Sequence, residues 1–123
     1  MNDVVREYLR SKDYADHVIR GGLEGLVRMW EHTVESVATG VAQDRDEYLN
    51  DMDGRRILEE ALAIAPVEGR ALWVERVQAA DVKIRPHLKP SQECLWGDDN
   101  ARKYGDSRER DWWYYYEPKA GLY

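Results

Sequence analysis

The stretch LEGLVRMWEHTVESVATGV, residues 23–41, decides the fold. Leu23, Leu26, Val27, Trp30, Val34, Val37, Ala38 and Val41 recur at spacings of three and four, while Glu24, Arg28, Glu31 and Glu35 fall off that stripe. Such a period places one apolar row along an α-helix and turns the charged residues to water. Gly40 marks its expected end. Upstream, Val4, Val5, Tyr8 and Leu9 give a short first helix, and residues 14–20 a second that stops at Gly21 and Gly22, where glycine accepts a left-handed backbone.

Downstream, Asp44 followed by Glu47 has the form of a capping pair, opening a short helix that runs to about Met52. Asp53 then stands as the N-cap of a further helix carrying Ile57, Leu58, Ala61, Leu62 and Ala65. Pro66 is suited to the first turn of the next one, where its missing N–H is no loss. That helix shows Trp73, Val74, Val77, Ala80 and Ile84, and Pro86 ends it. Asp81 interrupts its apolar row. If buried, it needs a hydrogen-bonding or cationic partner, because an unpaired buried carboxylate is costly.

After Pro86 the periodicity fades and aromatics gather: Trp96, Tyr104, Trp112, Trp113, Tyr114, Tyr115, Tyr116 and Tyr123. The expected architecture is all-α or nearly so. About five or six short helices (residues 1–85) surround a core containing Trp30 and Trp73. An irregular C-terminal arm (residues 86–123), extended at 112–116, packs on them as one domain. Charged residues make up 34% of the chain, above the roughly 25% of average globular proteins, which suits helices with solvated faces.

The stretches GGLEGLVRMWEHTVESV (21–37), DEYLNDMDGRRILEEAL (46–62), CLWG (94–97) and WWYYY (112–116) resemble small bacterial helical proteins without an assigned activity. The resemblance implies a stand-alone bacterial protein and brings no catalytic residue or cofactor.

The net charge is −6, all of it in residues 1–65. Nucleic-acid binding starts from a cationic surface, so this balance points away from nucleic acid and toward a basic partner. No apolar run approaches a membrane span, and the MNDVVREYLR start has no apolar signal region, so the expected location is the cytoplasm, away from membranes. A single cysteine, Cys94, excludes an internal disulfide and agrees with that compartment.

Motifs for chemistry are thin. Aligning Gly54 with the glycine of a calcium-binding helix–loop–helix puts Asp51, Asp53 and Glu60 at ligand positions but Leu49 at the first, so a turn and an N-cap are expected instead. Arg10 and His17 have a spacing similar to that of helical nucleases of the HEPN type, although in acidic surroundings. His17, His32 and His87 are too dispersed for a local zinc motif, and no metal or cofactor is expected.

The run of five aromatics with Arg108 and Arg110 nearby is the most informative feature, because Trp, Tyr and Arg concentrate binding energy at interfaces. The functional expectation is a non-enzymatic interaction module, an inhibitor or immunity-type or self-associating protein. It would use its acidic helical face together with Arg108, Arg110, Trp112, Trp113, Tyr114, Tyr115 and Tyr116. The same aromatics could instead close the monomer's own core. The alternative function is a small hydrolase or nuclease using His17 or His32 with neighbouring carboxylates.

Overall fold

The computed structural model of the chain describes residues 3–105 and 107–123. Four helices form the body: α1 (Val4–Ser11), α2 (Asp16–Ala38), α3 (Arg45–Ile64) and α4 (Val67–Ile84). α2 packs against the other three, and its row of Leu26, Val27, Trp30, Val34 and Val37 is buried, as the spacing predicts. None of the described helices is long and apolar enough to cross a membrane.

The caps follow from local chemistry. The Asp3 carboxylate accepts from Arg6 N at the start of α1, and that of Asp44 accepts from Glu47 N at 3.0 Å at the start of α3. α2 is two helical stretches joined at Gly22, whose φ of 59° and ψ of −154° break the axis. Arg6 Nε and Nη2 donate to the Arg20 carbonyl that this break releases, at 3.2 and 3.0 Å. The positive φ at Gly22 favours glycine, and a Cβ there would come within 3.3 Å of Arg6 Nε, so that side chain would have to shift slightly.

Two expected boundaries are corrected. No helix ends at Met52, and Asp53 caps nothing: α3 runs unbroken through Asp53 and Gly54 to Ile64. Tyr48, Met52, Arg55, Leu58 and Leu62 form one buried row along it, and the energy of that face outweighs the helix-breaking preference of a single glycine. At the other junction, Pro66 opens only a turn. Glu68 and Gly69 (φ 80°) are non-helical, so the regular part of α4 follows them.

The segment after Pro86 is more ordered than an irregular arm. A 3₁₀ turn (Arg85–His87) leads into strand β1 (Leu88–Pro90), then helix α5 (Asp98–Tyr104), a second 3₁₀ turn (Trp112–Tyr114) and strand β2 (Tyr116–Pro118). β1 and β2 pair antiparallel, with Leu88 opposite Pro118 and Pro90 opposite Tyr116. The expected extended stretch at 112–116 is therefore a tight turn followed by a strand that starts at Tyr116. Beyond β2, Gln43 and Arg45 N–H groups donate to the carbonyls of Gly121 and Tyr123, tying the last residues to the start of α3.

The core is one cluster that includes residues from both parts of the chain, among them Leu9, Val27, Trp30, Tyr48, Leu58, Ile84, Cys94, Trp113 and Tyr114. Its second tryptophan is Trp113 and not Trp73, which is only half-buried, with the Arg76 guanidinium over its ring.

Candidate functional site

Asp81 has the partners that its place in an apolar row demands. Arg55 Nε donates to Asp81 Oδ1 at 3.2 Å and Arg55 Nη2 to Asp81 Oδ2 at 2.9 Å, a two-point contact from α3 to α4. Trp30 Nε1 donates to the same Oδ1 at 2.9 Å, and Arg55 Nη1 reaches Glu59 at 2.8 Å. The Arg55 side chain is only 4% exposed. Burial works to lower its pKa, but hydrogen bonds and charge from Asp81 and Glu59 outweigh that, and the net direction is upward. Its guanidinium carbon lies 4.6 Å from the centre of the Trp113 ring and 5.7 Å from that of Trp30. The ion pair thus sits where α2, α3, α4 and the aromatic segment meet.

Beside it opens a cleft of about 460 Å³ between α3, α4 and the Trp112–Tyr114 turn. Arg55, Arg70 and Arg110 line it together with Glu59 and Asp81, and Leu62, Val74, Val77, Trp112 and Trp113 supply apolar wall. Arg70 Nη2 donates to the Ala65 carbonyl, which fixes that guanidinium at the end of α3.

A second, smaller recess of about 300 Å³ lies between α2 and α3, lined by His32, Thr33, Ser36, Gln43, Glu47, Asn50 and Asp51. Burial raises the Asp51 carboxyl above its ordinary pKa. The nearby Thr33 hydroxyl and His32 pull it down, and Glu47 adds to the rise, while the Thr33 hydroxyl itself donates to the Met29 carbonyl. Elsewhere, Tyr8 donates to Glu60 at 2.6 Å, and that hydrogen bond with partial burial pushes the Tyr8 hydroxyl up to about 12.

The structure divides the seven expected interaction residues. Trp113, Tyr114 and Tyr115 are buried in the chain's own core, with Trp113 2% exposed, so these three close the core of the monomer. Tyr114 donates its hydroxyl to Asp53 at 2.6 Å, and its ring stacks on Trp96. Trp112 and Tyr116 keep part of their surface, and Arg108 and Arg110 are exposed. Even these are engaged inward: Arg108 donates to the Gln92 carbonyl and covers the Tyr115 ring, Arg110 reaches Asp111 and the Gly105 carbonyl, and Arg85 stacks on Trp112.

The remaining candidates are not brought together. Arg10 lies in the last turn of α1 and borders a shallow recess with Asp13, Tyr14 and Asp16, whereas His17 is exposed in the first turn of α2. The calcium-loop residues Asp51, Asp53 and Glu60 are spread along the unbroken α3 and form no loop. Among the described residues no group of three or more His, Cys, Asp or Glu is placed to hold a metal ion.

Arg55 and Arg70 were not signalled as candidates by sequence. The usable sign was a pair of opposite charges, Arg55 and Asp81, each interrupting the apolar row of its own helix. Dividing α3 at Met52 hides the row on which Arg55 stands.

The chain matches no protein-family model, and comparison with curated proteins and with solved structures gives no match. A functional reading therefore rests on the chemistry of these clefts alone.

Proposed function

We propose that the protein is a non-enzymatic interaction module of the inhibitor or immunity kind, whose acidic face at the α2–α3 junction receives a basic protein partner. The observation that carries this reading is the recess around Asp51. Its carboxyl is held where burial disfavours the ionised form, with Glu47 and Asn50 at the same wall. A lysine or arginine side chain entering there would offset the cost of burying that carboxylate and gain a charge-assisted hydrogen bond. The net charge of −6 supports it, since an acidic surface steers basic partners and repels acidic ones. The exposed parts of Trp112 and Tyr116, with Arg108 and Arg110, offer a second contact area through which the chain could self-associate.

The test is capture on the tagged chain at moderate salt, with the eluate weighed by native mass spectrometry, repeated with the Asp51→Asn, Glu47→Gln double variant. The reading expects a stoichiometric complex with a basic protein that the double variant loses. A complex indifferent to both substitutions, or only a monomer, contradicts it.

One observation favours a second reading. His32 is close enough to Asp51 to act on its charge, and a histidine beside a carboxylate in an open recess is the equipment of a small hydrolase or nuclease. That reading expects a hydrolytic activity that His32→Ala abolishes without unfolding the chain.

A further inference from the structure

The rings of the C-terminal segment form an unbroken series. Tyr104 stacks on Trp96 with centres 5.4 Å apart, and Trp96 stacks on Tyr114 at 5.6 Å. Tyr114 meets Trp113 at 6.1 Å, Trp113 meets Trp112 at 5.9 Å, and Trp112 meets Trp30 of α2 at 6.5 Å. These spacings all lie within the roughly 4.5–7 Å at which aromatic rings touch. Trp30 is 2% exposed and Tyr104 55%, so the series leads from the core to water. Phenylalanine is absent from the chain, and every member of the series is an indole or a phenol.

Indole and phenol rings yield an electron to a strong oxidant, whereas a phenylalanine ring does not. Electron tunnelling weakens exponentially with the gap to be crossed, so rings in contact exchange an electron far faster than rings separated by aliphatic packing. The charges around the series sort its members. Arg85 lies 4.2 Å from the centre of the Trp112 ring and opposes a positive charge resting on that indole. Arg55, 4.6 Å from the Trp113 ring, does so more weakly, because Asp81 and Glu59 compensate it. A phenol that loses an electron also sheds its proton and becomes a neutral radical, which a nearby cation penalises little. Arg56 at 5.7 Å from the Tyr114 ring and Lys103 at 5.6 Å from that of Tyr104 are therefore small obstacles. For Tyr114 the proton acceptor is in place, since its hydroxyl donates to Asp53 at 2.6 Å, and the exposed Tyr104 has water.

We propose that this series is an electron conduit, which draws the oxidation of core indoles by a radical oxidant out to Tyr104. A one-electron oxidant of the peroxyl or azidyl class takes an electron from Trp112, which keeps part of its surface, and is itself reduced to the anion. One electron then moves inward across each contact, through Trp113, Tyr114 and Trp96. Tyr114 lends its proton to Asp53 while it is oxidised and regains it with the electron. Tyr104 gives up the last electron and releases its phenolic proton to water, ending as a neutral tyrosyl radical. An external thiol returns a hydrogen atom to that oxygen and becomes a thiyl radical, which restores the phenol. Tyr116, 6.4 Å from Trp112, is a side branch of the same series. The conduit does not depend on the interaction reading or on the Asp51 recess.

The experiment generates azidyl radicals by pulse radiolysis at neutral pH, where they take electrons from indole much faster than from phenol. The whole chain is used with Trp73→Phe, which removes an indole outside the series, and Tyr116→Phe, which closes the side branch; circular dichroism checks the fold. The tryptophan-radical absorption should give way to that of a tyrosyl radical at a rate independent of protein concentration. A nitroso spin trap followed by peptide mass spectrometry should place the adduct on Tyr104. Adding Tyr114→Phe cuts the series between Trp113 and Trp96, so the Tyr104 adduct should fall and oxidised Trp112 should rise in its place. Trp96→Phe cuts it at the next contact and should have the same effect, which covers the case in which either variant folds poorly. A tryptophan radical that persists, a conversion that speeds up with protein concentration, or an adduct on Tyr123 in place of Tyr104 would overturn the proposal. Unchanged Tyr104 and Trp112 products in a folded cut variant would overturn it as well.

Discussion

In α2 the buried side chains Val27, Trp30, Val34 and Val37 arrive at spacings of three and four, whereas in the C-terminal segment Trp113, Tyr114 and Tyr115 are buried one after another. A helix face can bury only the residues that come round to it, so it needs a single neighbouring surface. A 3₁₀ turn advances about a third of a circle per residue, and successive side chains leave it in different directions. Burying three in a row needs cover on several sides. Here Arg55 of α3 lies over Trp113, Trp96 and Asp53 hold Tyr114, and Arg108 covers Tyr115. The bundle thus has a core that each helix announces for itself. The aromatic segment has one only because the rest of the molecule surrounds it.

If the segment is core, its removal should be felt by the whole fold. Trp113→Ala should lower unfolding free energy by about 3–5 kcal/mol in urea titrations, the range for a buried aromatic. A loss under about 1 kcal/mol would return the segment to the status of an appendage. Next in size is the junction: Asp81→Ala leaves the buried Arg55 with Glu59 alone and should cost about 3 kcal/mol, with the urea midpoint falling accordingly. The Glu31–Arg76 pair between α2 and α4, largely exposed, offers the contrast: Glu31→Gln, which leaves Arg76 over the Trp73 ring, should be near neutral.

A finer cut is Tyr114→Phe, which keeps the ring and withdraws the hydroxyl from Asp53. A loss of about 1–2 kcal/mol is expected, and it should be largely absent in an Asp53→Ala background, which lacks the acceptor, if the two groups act as a pair. The smallest effect lies away from the aromatic segment and has the opposite sign. The folded chain holds the Asp51 proton to higher pH than the unfolded chain, whose carboxyl titrates near 3.8. This group therefore lowers stability progressively as pH rises above that value. Asp51→Asn should stabilise the fold slightly at pH 7, with no gain below pH 3 in the same urea titrations.

The bundle was largely legible. The stripe of α2, the Asp44 cap, the Gly22 break and the end of α4 before Pro86 follow from residue spacing and backbone preference. The continuity of α3 was not, because Asp53 and Gly54 carry a local stop signal that only tertiary packing overrides. Asp81 announced that it needed a partner, but nothing local named Arg55, which lies 26 positions away in the chain. The aromatic run could be recognised as important and not as inward, since β-favouring composition does not reveal a 3₁₀ turn enclosed on several sides. The clefts were invisible for the same reason: each combines residues from separate elements.

The central claim is that bundle and aromatic segment form one cooperative core, and native-state hydrogen exchange addresses it most directly. The Ser91 and Leu95 amides donate to the carbonyls of Tyr115 and Tyr114 at 2.9 and 2.7 Å, and so report on the segment, while Val27 and Leu58 report on α2 and α3. The account predicts that all four exchange only through global unfolding, with the same free energy and the same urea dependence. Exchange of Ser91 and Leu95 through a local opening, several kcal/mol below that of Val27 and Leu58 and insensitive to urea, would contradict it.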